Sequence, residues 1–169
     1  MKMPQPFVKN LNTINVIIET PKGNGVKYFF DPKTKLFKLK KLLPEGMVFP
    51  FHFGFIPKTK GEDGDPLDVL VLLDELCYPG CHIECRVLGV IEAEQTEKKE
   101  MVRNDRIIAT AVESARYAKI DSLKDLDKYL VDEITNFFVT YNKMNNKIFS
   151  PLGNRGPEKA ITLIKNSKA

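Results

Sequence analysis

The chain has 169 residues, of which 43% are apolar and 28% charged, and this suits one domain over residues 1–169 with its own hydrophobic core. No apolar run approaches the roughly 18 residues of a membrane span, and the first residues lack the apolar stretch of a secretory signal, so we expect a cytoplasmic protein without a membrane anchor. The net charge of +4 favours anionic partners, either nucleic acid or phosphorylated small molecules.

Short segments of β-branched and aromatic residues, separated by glycine, proline and asparagine, fill the first two-thirds of the chain. They predict strands at 14–19, 26–31, 35–40, 67–73, 81–93 and 101–112. Because no helical pattern falls between them, their spacing favours a closed or nearly closed β-barrel over an α/β sheet. Lysines alternate with apolar residues over 33–41, but this segment has no stacking motif of the RNA-binding type, so nucleic acid is an unlikely partner.

Three aspartates, Asp63, Asp65 and Asp68, lie within six residues just before an apolar run. Two carboxylates about 5 Å apart repel by roughly 3 kcal/mol at an effective dielectric near 20, so converging carboxylates favour a bound cation. Oxygen ligands suit Mg²⁺ or Mn²⁺, whereas Asp, Gly and Pro also form solvated turns, and both interpretations remain open at this point. Strict strand alternation would turn Asp68 away from the other two, unless the Gly64 and Pro66 bends rotate it back.

An EF-hand calcium loop starting at Asp63 is excluded, because the glycine required at its sixth position is Asp68 and the glutamate at its twelfth is Asp74. The order Cys77, Cys81, His82, Cys85 raises the possibility of zinc, but no second ligand cluster accompanies it, and buried free cysteines are common.

A capping box begins at Ser122 and precedes apolar residues at helical spacing, which predicts an amphipathic helix over about 122–143. Pro157 at a first helical position predicts a second helix after Gly156. Candidate cations for an anionic ligand flank these elements, and no P-loop sequence is present. These cations are Lys27, Lys41, Arg103, Arg106, Lys143 and Arg155.

The segment Asp-Gly-Asp-Pro-Leu-Asp-Val at 63–69 resembles the signature of the soluble family I inorganic pyrophosphatases, Asp-x-Asp-Pro-x-Asp before an apolar strand. Further similar segments follow the same order at 16–19, 26–28, 49–55, 89–90 and 137–141, so the resemblance covers about 14–143. It implies a mainly β fold with flanking helices (α+β), built on an OB-like five-stranded β-barrel. It also implies hydrolysis of pyrophosphate to two phosphates with Mg²⁺, or alternatively Mn²⁺.

The resemblance also implies roles for individual residues. Asp63 and Asp68 would be metal ligands, and Asp65 would be the general base acting on a water between two metals. Asp105 is the favoured third ligand and Asn104 its alternative, with Glu97 or Glu100 as a further candidate. The implied phosphate-binding residues are Lys27, Lys41, Arg106, Tyr141 and Lys143, and Glu19 would belong to an outer network.

The chain departs from the family pattern at several positions. Phe29 replaces a glutamate, Lys41 an arginine, Phe53 a tyrosine and Asn142 a lysine. These changes leave a second hypothesis open, a pyrophosphatase-like protein that binds a phosphate ligand with little or no turnover. The resemblance further implies a homo-oligomer, possibly a hexamer as in bacterial relatives.

Overall fold

The computed structural model describes residues 3–9 and 12–169, and its chain is mainly β. The strands in chain order are β1 (Thr13–Thr20), β2 (Val26–Asp31), β3 (Leu36–Leu42), β4 (His52–Phe55), β5 (Asp68–Leu72), β6 (His82–Glu97), β7 (Glu100–Arg103), β8 (Arg106–Ala111) and β9 (Phe149–Arg155). The helices are α1 (Lys128–Met144) and α2 (Pro157–Asn166). No helix within the described ranges is long and apolar enough to cross a membrane.

Five strands close into a ring in the order β1, β4, β5, β8, β6, because β6 pairs back onto β1. Strand β6 is 16 residues long, which lets it pair with β1 near its start and with β9 and β7 near its end. All neighbours in the ring are antiparallel except β5 and β8. The predicted fold class, mainly β with flanking helices around five ring strands, is confirmed.

Gly89 lies where the register between β6 and β8 shifts. Its φ is +155°, and a Cβ at this position would lie 2.3 Å from the carbonyl oxygen of Arg155 on β9. Only glycine therefore allows β9 to approach β6 this closely.

Residues alternate along the ring strands between two hydrophobic clusters. One contains Ile14, Val16 and Ile107 and is covered by Ala160, Ile161 and Ile164 of α2. The other contains Leu70, Leu88 and Ile108 and is covered by Ile134, Phe138 and Tyr141 of α1. The separate ribbon of β2 and β3 lies against β1, because Glu19 and Thr20 accept hydrogen bonds from the β2 backbone.

Several predicted boundaries differ from the structure. The strand predicted at 101–112 is divided into β7 and β8 by Asn104 and Asp105, and the short strands β4 and β9 were not predicted. The capping box at Ser122 closes only a 3-10 turn, Leu123–Asp125, and α1 starts after a second cap in which Asp127 accepts from the Tyr129 N–H. The helix predicted from residue 122 therefore begins at residue 128.

Candidate active site

The loop that carries the three aspartates is fixed by its own hydrogen bonds. The carboxylate of Asp63 accepts a hydrogen bond from the Asp65 N–H at 3.1 Å, and the Gly61 N–H donates to the Asp65 carbonyl at 2.8 Å. Gly64 has a φ of +88°, which glycine adopts without strain. Asp68 follows as the first residue of β5. Asp63, Asp65 and Asp68 all line one cleft of about 550 Å³.

Cations from the β2–β3 ribbon also line this cleft. Lys27 and Lys41 are direct partners across the ribbon, and both ammonium groups lie over the ring of Tyr141 on α1, at 5.5 and 5.1 Å from its centroid. Lys27 also lies 4.8 Å from the ring centroid of Phe53. Burial lowers the pKa of Lys27 to about 8, because its charged form is poorly solvated between these rings.

Tyr141 provides a hydroxyl with no partner of its own. Its side chain is 6% exposed, and among the described residues nothing accepts from or donates to this hydroxyl. Burial raises its pKa to about 12, so the group remains a neutral hydrogen-bond donor. A buried polar atom without a partner is costly, and one in a cleft indicates a place for a ligand atom.

Arg106 lies at the base of the cleft and is 4% exposed. Its Nη1 is 2.6 Å from Asp68 Oδ2 and donates to the side chain of Asn104, and its Nη2 donates to Gln95 Oε1 at 3.1 Å. The guanidinium also lies over the rings of Phe138 and Phe149. The predicted phosphate cation is thus held mainly by protein oxygen atoms.

Glu19, predicted in the outer network, lines the same cleft from the end of β1. Its Oε1 accepts a hydrogen bond from the Phe30 N–H at 2.7 Å. Burial raises the pKa of Glu19 to about 7, which the backbone hydrogen bond only partly opposes.

The donor atoms suit a hard divalent cation, since the carboxylates of Asp63, Asp65 and Asp68 offer only oxygen. Burial, with the negative charges of Asp68 and Asp65, raises the pKa of Asp63. They are not gathered into a preformed shell, because no three His, Cys, Asp or Glu side chains within residues 3–9 and 12–169 are placed to hold one ion. Cys77, Cys81 and Cys85 are free thiols, and the described part of the chain holds no zinc cluster.

Two predicted site residues lie outside the cleft. The carboxylate of Asp105 is bound by the guanidinium of Arg103, at 3.1 and 3.2 Å, and lines a neighbouring cavity beside α2. Asn104, the alternative considered for this position, lines both the cleft and that cavity, as do Asp63 and Asp68. Lys143 is exposed on α1 and is absent from the cleft lining.

Three cleft residues, Lys40, Glu97 and Lys147, were not among the predicted phosphate-binding residues. Glu97 was considered only as an alternative metal ligand. Lys147, three residues beyond α1, points its ammonium at the carboxylate of Glu97, and both line the cleft. Lys40 lines it as well, next to Lys41. The high density of lysine near residue 40 was visible in the sequence, whereas Lys147 follows the helix end and has no local pattern that marks it.

The family departures also lie in the cleft wall. Phe29, Phe53 and Asn142, the positions expected to depart from the family pattern, all line it. The amide of Asn142 is turned inward, since its Nδ2 donates to the Phe138 carbonyl at 2.9 Å.

The chain matches the family model described as inorganic pyrophosphatase over residues 16–169. It is 34% identical to an inorganic pyrophosphatase of Synechocystis over 159 residues, 94% of this chain and 92% of that protein. It is 40% identical over 134 residues, 79% of the chain, to a soluble inorganic pyrophosphatase of Arabidopsis thaliana, but spans only 60% of that relative's length.

Among solved structures, the inorganic pyrophosphatase of Thermus thermophilus superimposes with a TM-score of 0.89 at 32% identity, covering 98% of this chain and 95% of that one. The family match includes most of both hydrophobic clusters and all the cleft residues from Glu19 onwards. The chain belongs to the inorganic pyrophosphatase family.

Proposed function

We propose that this protein hydrolyses inorganic pyrophosphate to two phosphates in the cleft between the aspartate loop and the β2–β3 ribbon. The observation that carries the proposal is the unpartnered hydroxyl of Tyr141, whose ring lies beneath the ammonium groups of Lys27 and Lys41 in the cleft that three aspartates also line. The multiple negative charges on pyrophosphate match this combination of cations, a neutral donor and carboxylates able to hold a divalent ion.

The cations and the tyrosine act on the phosphate oxygens. Lys27, Lys41 and Lys147 provide ammonium groups, and Tyr141 donates a hydrogen bond. Fixed positive charges stabilise the extra charge on the oxygens as the bridging bond breaks, which is usually the main contribution in phosphoryl transfer. A bound polyanion also favours the charged form of Lys27, whose pKa is lowered in the free protein.

Asp63 and Asp68 are the proposed metal ligands. Asp68 retains Oδ1 for this purpose, since its contact with Arg106 uses Oδ2. We expect Mg²⁺, with Mn²⁺ as an alternative. When bound, the ion supplies positive charge that polarises the phosphate and lowers the pKa of a coordinated water. Asn104 is the proposed further oxygen ligand, because it lines both cavities with Asp63 and Asp68, whereas the carboxylate of Asp105 is bound by Arg103.

Asp65 is the proposed general base. Its side chain is exposed at the mouth of the cleft, and its carboxylate has no protein hydrogen bond among the described residues. A carboxylate free of protein donors is able to accept the proton of the attacking water, a role worth about 10²- to 10⁴-fold in rate.

Two observations favour a second function, binding without fast turnover. The carboxylates are not gathered for a metal in the described residues, and Phe29 and Phe53 replace polar groups in the cleft. Under this alternative the protein would hold pyrophosphate through its lysines alone.

The two functions are separated by measuring phosphate release and calorimetric binding on the same preparation. The proposed function predicts phosphate release from pyrophosphate with Mg²⁺ and none with EDTA. Tight pyrophosphate binding in EDTA, with no phosphate release when Mg²⁺ is restored, would instead establish the binding function.

A further inference from the structure

Thr59 lies where the aspartate loop leaves the ring of strands. The last paired residues of β4 and β5 are Phe55 and Asp68. Just beyond that pair, the Ile56 N–H donates to the Leu67 carbonyl at 3.0 Å, and the loop over 57–66 begins and ends at this contact. We call the contact between Ile56 and Leu67 the neck of the loop.

The hydroxyl of Thr59 completes the neck. It accepts a hydrogen bond from the Leu67 N–H at 2.9 Å and donates to the Ile56 carbonyl at 2.7 Å. In a regular hydrogen-bonded antiparallel pair these two backbone groups would bond to each other, so the hydroxyl relays one ladder bond between them. Thr59 is only 4% exposed, and the two buried backbone groups are therefore satisfied by a single side-chain oxygen.

The backbone around Thr59 is also held by the segment that follows α2. Thr59 and Lys168 form an isolated antiparallel bridge, and the Lys60 N–H donates to the Ser167 carbonyl at 2.6 Å. Residues 58–60 are thus fixed by backbone hydrogen bonds, which places the Thr59 side chain firmly at the neck.

The neck determines how two proposed metal ligands are placed relative to each other. Asp63 belongs to the loop, whereas Asp68 is the first residue of β5 and follows Leu67 directly. Both line the cleft, but the carboxylates within the described residues are not gathered into a preformed shell. An ion must gather them, and it loses less binding free energy to ordering the loop if the neck already restricts the loop.

We propose that Thr59 is a positioning residue for metal binding, because its hydroxyl closes the neck and so holds the loop where Asp63 and Asp68 act together on one divalent ion. Thr59 is absent from the cleft lining, so its effect is exerted through the loop rather than by contact with the ion or the substrate. The inference rests on the proposed function in taking Asp63 and Asp68 as metal ligands.

The test measures the Kd for Mn²⁺ without substrate, by electron paramagnetic resonance of the free ion. The proteins are the wild type, Thr59→Val, Thr59→Ser and the control Thr110→Val. Thr110 is a matched control because it is 0% exposed and its hydroxyl donates to the Leu72 carbonyl at 3.1 Å, at the other end of β5. Both valine substitutions remove one buried hydroxyl of the same size, but only that of Thr59 is at the neck.

Thr59→Val should raise the Kd for Mn²⁺ about tenfold, the usual loss when a group supporting metal ligands is removed. Thr59→Ser keeps the hydroxyl and should stay within about twofold of the wild type, as should Thr110→Val. Wild-type affinity in Thr59→Val would overturn the inference. An equal loss in Thr59→Ser would assign the effect to the methyl group, and an equal loss in Thr110→Val would assign it to general loosening, so either result would overturn it too.

Activity should show the same division. In Thr59→Val the Mg²⁺ concentration for half-maximal phosphate release should rise about tenfold, while kcat at saturating Mg²⁺ should stay within about twofold of the wild type. A kcat that falls without a change in the Mg²⁺ requirement would contradict a positioning role.

Amide hydrogen exchange in the wild type tests the neck without any substitution, and so does not depend on a variant that folds. If opening of the neck disrupts the metal site, Mg²⁺ at about 100 times its Kd should slow exchange of the Leu67 amide by up to about 100-fold. Slower exchange at the buried Leu70 amide of β5, with none at Leu67, would show that the neck opens while the ion stays bound, and would overturn the inference.

The binding and exchange measurements use no pyrophosphate. A wild type that binds Mn²⁺ but releases no phosphate would therefore refute the proposed hydrolysis while leaving the role of Thr59 to be decided by the variants. A wild type that binds no Mn²⁺ would refute the proposed metal ligands and this inference together.

Discussion

Replacing Tyr141 by phenylalanine removes a single oxygen atom and should change activity and stability in opposite directions. The ring itself would remain, stacked on Phe137 at 5.8 Å and in contact with Phe49. Only the hydroxyl is lost, and that hydroxyl is buried with no protein partner among the described residues. Its removal therefore separates the cost of an unsatisfied buried group from the benefit of binding a substrate oxygen.

The magnitudes follow from these contacts. A hydrogen bond to a charged group contributes about 1.5–3 kcal/mol, so kcat/KM for pyrophosphate should fall about 10- to 100-fold. Relief from burying an unpaired hydroxyl should raise the free energy of unfolding by about 1 kcal/mol, which corresponds to about 2–4 °C in Tm for a chain of this size.

The assays are steady-state phosphate release and thermal unfolding without ligand. Tyr129→Phe is the control, because Tyr129 is on the same helix but 77% exposed, and it should change neither quantity. A Tyr141→Phe protein that is less stable than the wild type and fully active would refute the reasoning, since the hydroxyl would then serve the fold rather than the substrate.

Three further predictions concern other parts of the chain. Lys147→Met should raise KM for pyrophosphate about tenfold, because Lys147 lines the cleft. Lys143→Met is the control and should leave KM within about twofold of the wild type, because Lys143 does not line the cleft. Equal effects of the two substitutions on KM would show that the cleft boundary is wrong. The Glu19 pKa is raised from 4.5 to about 7, so the folded state binds more protons than the unfolded state in that window and its stability falls as pH rises. Between these pH values, in EDTA, the free energy of unfolding of the wild type should fall by about 1–3 kcal/mol relative to that of Glu19→Gln, as measured by denaturant unfolding. If the free energies of the two proteins changed in parallel with pH, the burial of Glu19 would be contradicted. Gly89→Ala should lower the free energy of unfolding by more than about 3 kcal/mol, because its Cβ would lie 2.3 Å from a backbone oxygen. Gly156→Ala is the control and should lower it by under about 1 kcal/mol, because a Cβ there would have no atom within 4 Å. Similar losses in the two variants would argue against the close approach of β9.

Much of the fold could be predicted because the long strands carry strong apolar patterns. The strands β1, β2 and β5 and the early part of β6 lie where the alternation of β-branched residues placed them. Strand β4 has only four residues, and β9 contains Pro151 and Gly153, which propensity assigns to turns. Both strands form because ring neighbours supply their hydrogen bonds, and no local pattern encodes that.

The site was predictable in part for a similar reason. The resemblance predicted Asp63, Asp65 and Asp68 as metal or base residues and Lys27, Lys41 and Tyr141 as phosphate-binding residues, and all six line the cleft. The ligand in the segment 103–106 was not predictable, because a shift of one residue in matching the family pattern exchanges Asn104 for Asp105. Nor could spacing show that Arg106 contacts Asp68 and Gln95, because these residues come from strands far from it in the sequence.

One comparison of variants tests most directly the roles proposed for the aspartates of the loop. Phosphate release from pyrophosphate with Mg²⁺ should be compared between the wild type, Asp65→Asn and Asp132→Asn. Asp132 is exposed on α1 outside the cleft lining and serves as the matched control. If Asp65 is the general base, Asp65→Asn should reduce kcat at least about 100-fold and Asp132→Asn should leave it within about twofold. Turnover in the wild type that persists undiminished in Asp65→Asn would contradict the assignment of this cleft as the catalytic site.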